Sequence, residues 1–490
     1  MPLLDEPNHL AAITIFHDLA RPGKNLSPYY DAELRLVPYL SYHLLVHLFA
    51  FATGVEWANK IVLCAYVLSV PAAALWWTRR TQRGPWLALT TFPLAFSTSW
   101  AFGFHPFNVA IGLFLLASAS VDALLERSTL GRTLVAGLLS VGCALGHPLA
   151  AVALAATTVV LFGVHRPRPA RAARALLALG PAAALFLCST LRPSVDWVQP
   201  RAGAGGLEVK RLSIDTLLRR LPEHTLDPIS GKVDTSVFWA LVVCTAGLLL
   251  VDLVQAQPIR SPRAQLLHHR AALLGLAMAA LYVAIPFEIV RPFAWWWVGL
   301  RFAPLAFFFF LLVPSGTMNR LRIPMNVAGV ACAFVLPLHV SEKYAEFDAR
   351  MAPFVRMVES TPEGASILCL RMGPRTDAAV NVTVYDQIGA WVQILRGGYS
   401  QAGWHDTATL FRTKRALPAP PYWHHEQFDP KVHAAPYDFV LVHREPQPLF
   451  TDEDGFRLAA REGEWRLYER VTVSRPEQHA RLGAAHASPP

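Results

Sequence analysis

The stretch Leu3-Leu4-Asp5-Glu6-Pro7-Asn8-His9-Leu10 sets two adjacent carboxylates beside an amide and an imidazole almost at the start of the chain. Partial desolvation can tune a carboxylate for proton transfer. Asp5 and Glu6 are candidates for acid–base work of that kind or, taken together, for binding a divalent cation. The same run also opens a helix well, with Pro7 in the first turn and carboxylates at the positive end of the helix dipole. The two uses are compatible. Two more histidines fall in short turns between apolar runs, His105 in Phe102-Gly103-Phe104-His105-Pro106-Phe107-Asn108 and His147 in Gly146-His147-Pro148-Leu149. His9, His105 and His147 could join Asp5 in a polar or metal-binding cluster; singly, each reads as a loop or cap histidine.

The elements that must position these groups are apolar. Of 490 residues 53% are hydrophobic and only 16% charged, with mean hydropathy +0.32, against roughly 25% charged in soluble proteins. Apolar runs long enough, or nearly so, to cross about 30 Å of hydrocarbon are Ile61–Trp77, Trp86–Phe104, Phe107–Leu124, Thr133–Gly146, Leu149–Val164, Ala173–Leu191, Val237–Gln255, Ala271–Val290, Trp295–Val313 and Ile323–Val340. They predict an all-α polytopic membrane bundle of about ten transmembrane helices. Gly146-His147-Pro148 reads as a tight turn between two short spans. Five of the six cysteines lie inside apolar runs and only Cys369 lies in a polar region, which excludes a disulfide framework or a cysteine metal site.

The net charge of +9 is carried mostly by arginine. Most of it sits in short turns such as Arg79 to Arg83, Arg127 to Arg132 and Arg166 to Arg174. Counted through the predicted spans, every arginine-rich turn falls on one side. That is a topology signal and not a nucleic-acid surface. With that side cytoplasmic, a long loop near 192–236 and everything after residue 341 are extracytoplasmic. Leu36–Gly54 is apolar but carries Pro38, Tyr39, Tyr42, His43 and His47; its polar residues favour an interfacial helix over a span.

The order of these parts resembles the GT-C class of membrane glycosyltransferases, which includes protein O-mannosyltransferases and aminoarabinose transferases. The residues that carry the resemblance are Asp5 to Leu10, Val37 to Leu40, Phe102 to Asn108 and Gly146 to Leu149. It covers roughly residues 3 to 340. It implies a donor sugar on a polyprenyl phosphate or diphosphate, an acceptor hydroxyl attacking the anomeric carbon, and Asp5 as base, with Glu6 as substitute or cation ligand. The leaving phosphate would need cations at the outer surface: Arg291 and Arg301 first, Lys60 after them. An arginine inside a span needs a partner or a route to the interface. Trp295 to Trp297 read as an interfacial aromatic belt more than a sugar platform. The class places a transmembrane helix before the acidic loop. The sequence is therefore expected either to begin inside a longer reading frame or to lack that helix.

After residue 341 the pattern changes. Met351–Glu359 reads as helix, Ser366–Leu370 and Phe439–Val442 as strands, and Phe456–Glu469 as a hairpin about Gly463. The expected division is an acidic-motif loop with interfacial helices over 1–60, the bundle over 61–340, a small α/β domain over 341–473 and a disordered tail over 474–490. Asp452-Glu453-Asp454 reads as an acidic turn, and His424-His425-Glu426 with His433 as a surface loop. No phosphate-binding Gly-rich loop with its lysine is present, which removes ATP-driven transport. Few ionisable residues fall at mid-span, which argues against an ion-coupled carrier. The resemblance thus implies a glycosyltransferase of the bacterial inner membrane, using a polyprenyl-linked donor among membrane lipids. The rival is a non-catalytic scaffold or lipid-binding subunit of a cell-envelope polysaccharide system.

Overall fold

In the computed structural model, residues 1–34, 36–191, 207–255, 261–291, 295–315, 319–401, 410–421 and 424–471 are described. The tail expected to be disordered lies outside them. The protein is mostly helical. Helix α1 (Glu6–Asp18), strand β1 (Tyr30–Ala32) and helix α2 (Leu40–Thr53) lead into α3 (Val55–Arg80). Fourteen residues make α2 about 21 Å long, too short to cross alone.

Trp86–Phe104 is not a span. It breaks into α4 (Trp86–Thr90), a 3-10 turn Phe92–Phe96 and α5 (Thr98–Ala101). Pro93 lacks an N–H, and hydroxyls compete for carbonyls: Thr90 Oγ1 donates to Leu87 O and Thr91 Oγ1 to Ala88 O. Thr90, Thr91, Leu94 and Ser97 to Ala101 are buried, as irregular backbone at membrane depth must be.

Next come α6 (His105–Glu126), α7 (Leu130–Gly146), α8 (Pro148–His165) and α9 (Pro169–Leu191). The turn at His147 is extended, as Gly146-His147-Pro148 leads one to expect. The stretch 192–236 expected as a loop holds β2 (Glu208–Lys210), α10 (Ile214–Arg219) and α11 (Leu221–Thr225), and α12 (Val233–Val254) starts near its end. A pair bent by 62°, α13 (Pro262–His268) and α14 (Arg270–Ala284), then gives way to β3 (Glu288–Arg291), which pairs antiparallel with β2. The expected Ala271–Val290 span thus ends early, at the helix-breaking Pro286.

A 3-10 turn Gly299–Phe302 and α15 (Ala303–Leu311) make another short piece where a full span was expected. Helix α16 (Ile323–Ser360) runs 38 residues without interruption, so the expected boundary at 340/341 lies inside a continuous helix. Among the described residues, six helices are long and apolar enough to cross a membrane (α3, α6, α8, α9, α12 and α16), or seven with the bent pair as one span. The expected ten fall to this number because α7 and the Gly299–Leu311 piece are short and Trp86–Phe104 is broken.

The C-terminal region holds β4 (Ile367–Arg371), α17 (Ala390–Arg396), β5 (Phe411–Thr413), β6 (Phe439–His443), β7 (Phe456–Glu462) and β8 (Trp465–Arg470). Four strands form a sheet in the order β4-β6-β8-β7, with β4 and β6 parallel and the rest antiparallel. Asp452 to Asp454 is a one-turn 3-10 helix closed by a Thr451–Asp454 capping box, the acidic turn that the sequence suggests. This region is not a separate body beside the bundle: β1 pairs with β5, and α1 buries Leu10 and Ala11 against Ala390 and Ile394 of α17.

Candidate functional site

The four quoted segments meet at one end of the bundle. Leu4 and Asp5 donate their backbone N–H groups to Ala101 O and Phe102 O at 3.3 and 3.0 Å, and Tyr39 N–H donates to Gly146 O at 3.0 Å. Gly103 makes the approach possible. Its φ is +67°, and a methyl there would lie 2.8 Å from the backbone nitrogens of Asp5 and Glu6.

Asp5 stands at the N-cap position of α1, yet its side chain makes no cap hydrogen bond. Its Oδ1 instead accepts from Gln387 Nε2 at 2.7 Å, and among the described residues Oδ2 has no hydrogen-bond partner. The carboxyl is only 7% exposed. Burial raises its pKa to about 7, against the lowering effects of the Gln387 amide and the Arg301 charge. Glu6 is committed differently: its Oε1 accepts from Asn59 Nδ2 at 3.0 Å, and Asn59 Oδ1 accepts from Tyr42 at 2.8 Å. This chain ties α1 to α3 and α2. Burial raises the Glu6 pKa as well.

His9 and His105 come together, and His147 stands elsewhere. His43 Nδ1 donates to Tyr39 O at 2.8 Å, which leaves its Nε2 to accept from His9 Nδ1 at 3.1 Å. The His105 ring lies 6.0 Å from that of His9, fully buried, with neither nitrogen hydrogen-bonded. Burial holds His9 neutral, well below the usual imidazole range. No three His, Cys, Asp or Glu side chains among the described residues could hold a metal ion. The cluster drawn from sequence thus divides into a histidine group and a separate His147.

His147 belongs to Arg301. Its Nδ1 accepts from Leu149 N–H at 3.1 Å and its Nε2 lies 2.8 Å from the guanidinium. Arg301 is 6% exposed. It donates through Nε to Trp297 O at 3.0 Å and lies over the rings of Phe104 and Phe107, at 4.0 and 5.2 Å. No carboxylate pairs with it among the described residues, and Asp5 is the anion whose field it feels. It also lines a cavity of about 20 Å³ with Tyr66, Ser97, Ser99 and Phe107, room for one water molecule.

The first turns of α6 and α8, the positive ends of their dipoles, flank this guanidinium. Two bulky residues beside it, Tyr39 and Trp297, hold left-handed backbone at φ +82° and +59°, strain of the kind that collects at functional sites. Trp297 packs on Phe102 at 4.9 Å and Trp295 on His147 at 5.9 Å. The remaining candidates stand apart. Arg291, at the end of β3, pairs with Glu208 at 3.2 Å, both about half exposed. Lys60 is exposed beside Trp57, 4.6 Å from its ring.

Gln387, Asn59, Tyr42 and His43 are the site members missed as functional from sequence. Tyr42 and His43 stood out only as polar residues in an apolar run. Nothing local marks Gln387, which lies 382 positions from Asp5. The arrangement offers a carboxyl of near-neutral pKa with one open oxygen, close to a buried cation that lacks a counterion. Comparison with protein-family models, with curated proteins and with solved structures finds no match in any of the three.

Proposed function

We propose that the chain is an integral membrane glycosyltransferase of GT-C type, transferring a sugar from a polyprenyl-phosphate donor to an acceptor hydroxyl on the extracytoplasmic side. The observation that carries this reading is the pairing of unmet needs at one end of the bundle: Asp5 Oδ2 without a partner, and Arg301 buried without a carboxylate. Burying an unpaired charge is costly, and a ligand phosphate beside Arg301 would relieve that cost. In the reaction, the acceptor oxygen bonds to the anomeric carbon and its proton passes to Asp5. The bond from that carbon to the phosphate oxygen breaks, and the electron pair leaves with the polyprenyl phosphate, held by Arg301. Glu6 supports α1 from behind. The arginine-rich ends of the helices face the cytoplasm of a bacterial inner membrane, and the C-terminal sheet lies outside.

The test is donor consumption by the purified, liposome-reconstituted protein, followed by mass spectrometry of polyprenyl-phosphate-linked sugars. Asp5→Asn should lower it about a thousandfold and Arg301→Gln about a hundredfold in folded protein. Consumption by Asp5→Asn at the wild-type rate would sink the reading. The scaffold alternative draws on the near-complete burial of Asp5, and it predicts donor binding without consumption by the unaltered chain.

A further inference from the structure

We propose that Gln387 is a positioning residue for Asp5, so that the C-terminal region forms part of the acidic site instead of lying beside it. The inference rests on the functional reading above only for the use to which Asp5 is put.

The geometry of the amide is fixed from both ends. Asn8 is three positions after Asp5, on the same face of α1, and its Nδ2 donates to Gln387 Oε1. That contact turns Gln387 Nε2 toward Asp5 Oδ1, which accepts at 2.7 Å. Gln387 is itself held. Its neighbour Asp386 is buried and paired with Arg371 at 3.2 Å and Arg375 at 2.7 Å. On its other side α17 begins, with Ala390 N–H donating to Gln387 O at 3.1 Å, and Ala390 and Ile394 pack on Leu10 and Ala11 of α1. The amide side chain is 3% exposed, so both of its hydrogen bonds operate away from water, where losing either is expensive.

The residue type matters as much as the place. An amide donor fixes the plane of the carboxyl and occupies Oδ1, which leaves Oδ2 to take a proton. A lysine or arginine in the same position would hold the carboxylate ionised and make it a weaker base. The charged or titratable groups around Asp5 are Glu6 and His9 on α1, His105 in the facing turn, His43 on α2, Asp386 beside Gln387, and Arg301. Only Arg301 acts on it appreciably through its charge.

The experiment is a pH titration of the Asp5 carboxyl by difference infrared spectroscopy, on the full chain reconstituted in liposomes. The Asp5 band is identified by its loss in Asp5→Asn. Gln387→Ala should raise the midpoint from about 7 by about one pH unit, and Ile394→Ala, which loosens the same interface without touching the amide, should leave it in place. An unchanged midpoint in Gln387→Ala, an equal shift in Ile394→Ala, or no Asp5 band titrating near neutrality would each overturn the proposal. Donor consumption is measured on the same samples. A shifted midpoint with no consumption by the unaltered protein would reject the transferase reading and leave the positioning role standing.

Discussion

Two buried aspartates sit at opposite ends of the bundle, and their surroundings differ sharply. Asp122, fully buried on α6, is held by Arg80 at 2.7 Å, His165 at 2.8 Å and Arg270 at 3.3 Å, gathered from the ends of α3 and α8 and the start of α14. Arg80 also reaches Glu126 at 2.9 Å. Asp5, at the other end, has one neutral amide and no cation in contact. The first arrangement fastens four helices. The second leaves a carboxyl whose pKa burial raises to about 7, the range in which a general base works best near neutral pH.

The largest expected effects come from exchanging each aspartate for asparagine. Asp122→Asn removes the carboxylate that Arg80 and Arg270 share and leaves Arg80 with Glu126 alone, and thermal unfolding in detergent should show a loss of about 3 kcal/mol, with donor consumption per folded molecule little changed. Asp5→Asn should do the reverse, cutting consumption about a thousandfold. Its effect on stability has a definite sign. A carboxyl whose pKa is raised by folding holds its proton more tightly in the folded state, so its ionisation weakens the fold as pH rises from about 4 through about 7. At pH 8 Asp5→Asn should therefore unfold later than the unaltered protein, by on the order of 2–4 kcal/mol. At pH 3 the two should match. Loss of stability in Asp5→Asn at pH 8 would make the two aspartates alike and remove the contrast.

The same contrast applies to arginines. Arg80 and Arg270 are neutralised, whereas Arg301 has His147, a carbonyl and two aromatic faces but no carboxylate. Arg301→Gln should lower consumption on the order of a hundredfold and abolish the binding of polyprenyl phosphate itself, measured by quenching of the tryptophans beside it. Arg301→Lys should recover only part, because an ammonium cannot span His147, Trp297 O and a phosphate at once. Retained polyprenyl phosphate binding in Arg301→Gln would place the phosphate elsewhere.

Gly103→Ala ranks next. It forces a side chain onto φ +67° and to within 2.8 Å of the Asp5 and Glu6 nitrogens. The turn must move, at a cost of about 1–3 kcal/mol, and consumption should drop about tenfold through displacement of Asp5 alone. Unaltered consumption would show that Asp5 tolerates a shift of its support.

The membrane-embedded helical character, the His147 turn and the C-terminal strands were legible in the sequence because each rests on local pattern: long apolar runs, a Gly-His-Pro break, alternation about Gly463. The number of spans was not. Hydropathy cannot separate a span from a buried, broken segment such as Trp86–Phe104, whose Pro93 and hydroxyl-rich run are weak signals against strong apolarity. The site divides in the same way. Asp5, His147 and Arg301 stand out as polar residues in or beside apolar runs. Gln387 does not, since its role comes from the docking of α17 on α1, a contact between distant parts of the chain with no local signature. Arg291 and Arg301 are both phosphate candidates in the sequence, one at the end of an apolar run and one inside another, and their burial differs because the Gly299–Phe302 turn packs Arg301 under Phe104.

That last difference yields the smallest prediction and a close control. Arg291 and Glu208 form an ion pair with both partners about half exposed, and such pairs contribute about 0–1 kcal/mol. Lys60 is exposed, with its ammonium over the Trp57 ring. Arg291→Ala and Lys60→Ala should therefore change stability by no more than about 0.5 kcal/mol and leave donor consumption within about twofold, because a cation in water attracts a phosphate far more weakly than one buried without a counterion. Should Arg291→Ala instead fall to the level of Arg301→Gln, the phosphate would be held at the β2–β3 edge. The buried guanidinium would then be a packing element, its charge met by His147, the Trp297 carbonyl and the faces of Phe104 and Phe107.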